Sequence, residues 1–469
     1  MNSDSLKNKF IQNKNAIWQY LFCFLIMISL CLMFQVKVGF TNSGIISFYG
    51  SEIVGIIVGI YTLIYAIKNK RELTRDQKYF VGFTMLFAVF CAAVYLIRFF
   101  KTGIELKSIL IIESNFFIIG FMFMIIFKKI EVKRAIKSIS IFGAVFGVVS
   151  VVLFYTYQSA FVENMIFHTS NFNILTFGHA VRTYLLTMIF PISAYNYIKS
   201  NDKFSATIYY IHLITISICG LLSASRINYV FIPLVIIATS FIISKKNKKN
   251  IKKAVLYFVA ALLFVFLSSP FFIQIYAQLT RIPITNQVMT TCKIPYIGFT
   301  KIVNSGKGKD FDKQEAAKVD KEKIKELIDA AEKSPEQSSS MRFSAWKQAI
   351  EDIKKAPLMG IGLQQYECVS NDGILTVVIQ PHNFILEYVL SFGILGFLLW
   401  TFMIASPVFL SFKKIKFKFW ENKAASLMVC SMLFACAGAF FQPYFIYSSV
   451  MTFVYLILGC FYTSVVDES

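Results

Sequence analysis

Charge is scarce in this 469-residue chain. Asp, Glu, Lys and Arg together make up 16% of it, where a soluble domain carries about a quarter. With 56% hydrophobic residues and a mean hydropathy of +0.61, that shortage excludes a water-soluble globular protein and makes the bilayer the expected solvent. Also missing are the roughly ten-residue segments of alternating polarity that build a membrane β-barrel. No small-x-small cleavage site follows the first apolar run, which is also too long for the core of a signal peptide, so it reads as an uncleaved anchor. Internal repeats and long low-complexity linkers are lacking, so the apolar segments read as one membrane domain. The chain has nine cysteines, and only Cys292 and Cys368 stand outside the apolar runs. Two such residues leave open whether they pair in an oxidising compartment.

What the chain does have is apolar runs long enough to span a bilayer, which takes about 20 helical residues. They centre on residues 16–36, 45–67, 79–97, 108–127, 138–156, 175–198, 205–223, 227–244, 254–276, 384–410, 424–440 and 446–466. The fold class predicted from them is an all-α integral membrane protein with about twelve transmembrane helices and one large loop between spans nine and ten. Residues 1–276 would hold spans one to nine, 277–383 the loop, and 384–469 the last three spans.

The formal charge of +21 need not mean a nucleic-acid partner, because the basic residues gather in alternate short connections. They precede the first run at Lys7, Lys9 and Lys14, gather from Lys68, Lys128 and Lys199 onward, and form dense groups at 245–253 and 413–423. The positive-inside rule then puts both termini in the cytoplasm and the large loop outside. Arg98, Lys101 and Lys107, after the third span, go against the pattern.

Within the loop, 312–333 has the spacing of an amphipathic surface helix. A second helix is predicted from the Ser338-Ser339-Ser340 caps to about Lys355, stopped by Pro357. Arg342, Trp346, Ala349 and Ile353 share one face of it. Arg342 lies in its first turn, where free N–H groups and the helix dipole favour an anion and a guanidinium adds bidentate contacts, so phosphate or pyrophosphate is the natural ligand. The plainer alternative has its stem lying over Trp346 or its charge paired with an acid. Arg182, inside the sixth run, is a charge at membrane depth and so a functional candidate. Arg226, at the turn between spans seven and eight, is either an interfacial anchor or a third cation at the outer face. His382 is one of four histidines and stands where the loop re-enters the membrane, able to take a proton from a hydroxyl near neutral pH or simply to serve as a structural residue. Asn383 follows it, and Glu387 lies one helical turn further on, placed to orient the Asn or the His or to pair with an arginine. Gly393 with Gly396, and Gly360 with Gly362, read as architectural.

This arrangement resembles the bacterial O-antigen ligase and polysaccharide polymerase superfamily. The likeness rests on His382-Asn383, nine residues, then Gly393-x-x-Gly396; on Arg342, Trp346 and Pro357-Leu358-x-Gly360-Ile361-Gly362 before them; and on Ser225-Arg226. It covers roughly residues 175–400. The resemblance implies a metal-independent, inverting glycosyltransferase without cofactor, sited in the bacterial cytoplasmic (inner) membrane. Such an enzyme moves glycan from undecaprenyl pyrophosphate to an acceptor hydroxyl on a glycan or lipid-linked acceptor, and for a polymerase the resemblance adds a chain-length regulator as a candidate partner. By position, His382 would be the catalytic base, and Arg226 and Arg342 would bind pyrophosphate. Arg182 matches no motif and rests on burial alone. A polymerase of O-antigen or capsule type is the first expectation, and a ligase acting on lipid A-core or another envelope acceptor the second. A polysaccharide-lipid flippase is a third, and would call for repeats and broken helices along a midplane path.

Overall fold

A computed structural model of the chain describes residues 17, 19, 20, 23, 35–41, 44–102, 118–156, 179–222, 226–244, 249–267, 337–362, 364, 366–369, 376–441, 445 and 448–468. Its first regular element departs from the all-α expectation. Strands β1 (Gln35–Thr41) and β2 (Gly44–Tyr49) pair antiparallel, with Val36 opposite Phe48 and Phe40 opposite Ile45. The ends of the first two apolar runs, at 35–36 and 45–49, are thus strand and not helix. Their β-branched and aromatic residues suit a pleated surface as well as they suit a membrane helix.

The described parts of the remaining runs are largely helical, the run at 108–127 showing a helix of only seven residues. In chain order the helices are α1 (Gly50–Lys68), α2 (Arg75–Thr102), α3 (Gly120–Ile126), α4 (Val132–Thr156), α5 (His179–Ser200), α6 (Lys203–Leu222), α7 (Arg226–Ser244) and α8 (Lys249–Leu267). After the loop helix α9 (Gln337–Lys355) and the strands β3 (Tyr366–Val369) and β4 (Thr376–Ile379) come α10 (Phe384–Lys414), α11 (Lys423–Phe441) and α12 (Ser448–Glu468). The segment 312–333 and Cys292 lie outside the described residues. Cys368 on β3 is a buried free thiol.

Side chains mark where several helices begin. Thr74 and Gln77 exchange bonds of 3.3 and 2.9 Å across the first turn of α2, a reciprocal capping box. Asp202 accepts from Ser205 N at 2.7 Å before α6, and Asn422 from Ala425 N at 2.9 Å before α11. Among the described residues five helices are long and apolar enough to cross a membrane, in α2, α4, α10, α11 and α12. The described residues are thus mostly helical, with two short hairpins, and their long apolar helices are those of a multi-pass membrane protein.

Burial separates the inside of the bundle from its rim. In α12, 89% of the apolar stretch is buried, against 28% in α2. Lipid is as apolar as leucine, so helices in it associate through close packing and interhelical hydrogen bonds. Such bonds join Ser431 Oγ to Met188 O at 2.8 Å and Thr183 Oγ1 to Cys219 O at 3.3 Å. His212, fully buried, meets Ser193 Oγ at 2.8 Å and Leu186 O at 3.1 Å, which gives this histidine a packing role.

One end of the bundle is laced by charge. Glu468 takes Lys199 and the Tyr195 hydroxyl at 2.7 Å each, and Asp467 takes Lys128 at 3.2 Å. Asp76 takes the Tyr462 hydroxyl at 3.1 Å and Lys414 at 3.5 Å. The connections that carry the basic groups at 128, 199 and 414 therefore meet the C-terminal end of α12. The opposite end holds the starts of α5, α7, α10 and α12, with α9 and β3 packed there.

Candidate functional site

At that opposite end the loop returns to the bundle as a small folded unit. Helix α9 begins at Gln337, so Ser338, Ser339 and Ser340 lie in its first turn and not before it. Its Ala345 and Ala349, both fully buried, pack on Tyr366 and Cys368 of β3 and on Leu390 of α10, with Ile353, Ile361 and Leu386 around them. Tyr366 Oη donates to Asp352 at 3.2 Å, fixing helix to hairpin. Trp346 turns away from this cluster toward the returning chain. Its Nε1 donates to Pro381 O at 2.5 Å, and its ring meets Phe440, at the end of α11, edge-on at 5.9 Å.

His382 follows Pro381 and has φ +51°, in the left-handed region that a non-glycine residue rarely occupies. Such strain persists where the surroundings over-determine it. Here Trp346 holds the residue before. Asn383, after it, caps α10 by accepting from Ile385 N at 3.0 Å and Leu386 N at 3.2 Å. The imidazole is half-buried, and its Nδ1 is buried without a hydrogen-bond partner among the described residues. Burial, with the positive charge of Arg342 adding to it, lowers the His382 pKa to about 4. The ring is therefore neutral at pH 7, and the same burial and charge make it a weaker base than a free imidazole.

Glu387 is fully buried one turn into α10. Its carboxyl group faces the backbone N–H groups of Asn383 and His382, but neither oxygen closes a hydrogen bond of normal geometry among the described residues. Ser391 Oγ, a turn further on, is likewise buried without a partner among them. Such groups are costly unless something else serves them, such as a water or a substrate group.

Sequence reasoning assigned the glycines to packing, and the structure gives them a sharper use. Gly393, at φ +69° and ψ −178°, breaks α10. Residues 357–362 enter the break: Ile361 N and Gly362 N donate to Leu390 O at 2.8 and 2.9 Å, and Ile394 N donates to Pro357 O at 2.8 Å. A Cβ on Gly393 would stand 2.1 Å from Leu358 O, and one on Gly360 2.3 Å from Leu390 O. Two backbones can touch here only because both residues are glycine. Arg98 closes the joint by donating from one guanidinium nitrogen to Met359 O and to Ser391 O. Sequence reasoning missed Arg98 as anything but an exception to the charge pattern.

The other two arginines reach the same end through their helices. Arg182 lies in the first turn of the described α5, and Arg226 opens α7. Helices α5 and α7 pack together, and both pack on α11. Tyr184 Oη donates to Ala435 O at 2.5 Å, and its ring fills the space a side chain on Gly438 would need. From Gly438 to Phe440 is half a turn, and Phe440 meets Trp346. The structure thus sets Arg342 near enough for its charge to act on His382 and puts the starts of α5 and α7 at the same end of the bundle.

Residues 211–401 match the family model described as O-antigen ligase. That stretch runs from α6 to the middle of α10 and contains Arg226, Arg342, His382, Asn383 and Glu387. Arg182 and Arg98 precede it. No curated protein matches the sequence.

Proposed function

We propose, from the match of residues 211–401 to the family model described as O-antigen ligase, that this protein is a membrane-embedded glycosyltransferase. It moves glycan from undecaprenyl pyrophosphate to a sugar hydroxyl at the outer face of the cytoplasmic membrane, as a polymerase of O-antigen or capsule type. In the transfer, neutral His382 takes the proton of the acceptor hydroxyl while its oxygen bonds to the anomeric carbon. The bond from that carbon to the pyrophosphate oxygen breaks, with inversion. Arg342, Arg226 and Arg182 hold the donor and stabilise the charge on the departing pyrophosphate, which needs no metal in this scheme. Asn383 keeps α10 starting at the right residue, and Glu387 supports the turn that carries His382.

The observation that carries this reading is a partly enclosed imidazole held at a left-handed φ where the charge of Arg342 reaches it. Twelve spans, with both termini in the cytoplasm and residues 277–383 outside, would put the site where lipid-linked glycan is exposed. The gathering of basic connections at the other end supports that orientation. A flippase fits less well, because the break in α10 lies near its loop-side end and its freed carbonyls are taken by protein groups.

The description of the matched family favours a second reading, a ligase that attaches finished chains to lipid A-core or another envelope acceptor. Both readings share a donor and differ in the acceptor. The lipid-linked glycan of a strain lacking the protein separates them: accumulated single repeat units indicate a polymerase, and accumulated long lipid-linked chains a ligase. Unchanged lipid-linked glycan would overturn both.

A further inference from the structure

Arg98 is half-buried at the loop-side end of α2, and its two acceptors belong to chain segments 261 and 293 residues away. Met359 O lies on the inserted segment and Ser391 O on the broken helix, so one guanidinium nitrogen clamps the two backbones where they cross. The clamp stands at the foot of residues 384–392, the short first section of α10. At the head of that section are the Asn383 cap and His382. The section is therefore held at both ends. Arg98 and the N–H groups of Ile361 and Gly362 hold its foot, and the Trp346 bond to Pro381 holds its head. A rigid half-helix passes any tilt at its foot to the residue at its head, and a left-handed φ at His382 leaves the imidazole little freedom to compensate. Charge-assisted bonds to carbonyls are stronger than neutral ones, which suits a joint in which the helix's own ladder is interrupted.

We infer that Arg98 is a positioning residue for His382, acting through the half-helix 384–392 and touching no substrate. The inference rests on His382 as the acceptor base. A misplacement near 1 Å can cost about 100-fold in rate, so losing the clamp should lower turnover and leave donor binding in place.

The test uses full-length protein in liposomes, with lipid-linked glycan purified from a strain lacking the protein as donor. Per folded molecule, Arg98→Ala should lower kcat roughly 10- to 100-fold with donor KM within about twofold. It should move the acid limb of the pH profile upward as His382 loses its enclosure. Arg98→Lys, keeping charge and donors, should recover part of the rate. Amide exchange across 384–392 should quicken in Arg98→Ala. If that variant does not accumulate, Arg98→Gln carries the same readings. Parental kcat and pH limb in a folded variant, or unchanged exchange across 384–392, would overturn the inference. A parent that transfers no glycan would instead sink the proposed function, and the exchange measurement would still decide whether Arg98 holds the half-helix.

Discussion

The indole N–H of Trp346 donates to the carbonyl of Pro381 at 2.5 Å, which ties the helix carrying Arg342 to the residue just before His382. The cation and the base come from opposite ends of the loop's return path, and this bond sets their spacing. Trp346→Phe keeps a ring against Phe440 but leaves the buried Pro381 carbonyl unserved, a loss of about 1–3 kcal/mol. A melting curve of the purified protein should show that loss, together with reduced turnover at unchanged expression.

Arg342 adds its charge to the burial that lowers the His382 pKa, and in the proposed transfer it holds the donor. Arg342→Ala should therefore have two effects. Donor affinity falls, and the acid limb of kcat/KM moves up from near pH 4 toward the ordinary histidine value of 6.5. Lysine in its place restores charge but not the bidentate fork, so it should return the limb more fully than the affinity. A limb that stays put in Arg342→Ala would separate the two residues.

Stability should carry the same signature. The folded imidazole protonates near 4 and the unfolded one near 6.5. Between those values the unfolded state holds the extra proton, so stability falls as pH drops through the window and levels off below it. His382→Gln removes this dependence. The melting temperatures of parent and variant should diverge between pH 6.5 and 4 and run parallel above pH 7.

Gly393→Ala sets a Cβ against Leu358 O at a φ that alanine rarely adopts, and little folded protein should accumulate. Gly82, within α2, has nothing within 4 Å of its would-be Cβ. Gly82→Ala should be stabilising by roughly 0.5–1 kcal/mol, as for a helix interior. Detergent-extracted yield and melting temperature read both.

Orientation is testable by fusion. A reporter near Asn250 should be active only in the cytoplasm and one near Glu336 only outside. The reverse result at Glu336 would put Arg342 and His382 on the wrong side of the membrane for an outer-face donor.

How much of this was legible in the sequence follows from the kind of signal each feature leaves. Apolar runs of span length mark α2, α4 to α8 and α10 to α12, since length and hydropathy are what lipid demands of a helix. They mislead at 45–49, where Ile45, Ile46 and Phe48 serve a strand equally well. The neighbourhood of Arg342 and His382 was readable because each has a residue type and a position that call for an explanation. The His382 pKa was not, because lowering it depends on the enclosure that α9 and α10 build in space, so activity expected to fall near pH 6.5 should persist toward 4. Arg98 was hidden for a similar reason. Its partners are backbone carbonyls freed by a glycine break hundreds of residues away, and no spacing in the sequence announces them.

The central claim is that His382 takes the acceptor's proton. Undecaprenyl pyrophosphate is already a good leaving group, whereas a sugar hydroxyl is a poor nucleophile until deprotonated, so the base should matter to transfer and little to donor binding. The measurement is single-turnover glycan transfer by His382→Ala, expressed per folded, membrane-inserted molecule and set beside its donor affinity. The account predicts transfer slower by about 10²–10⁴-fold with donor affinity close to the parent's. Near-parental transfer per folded molecule would contradict it and leave His382 as a residue that only shapes the start of α10.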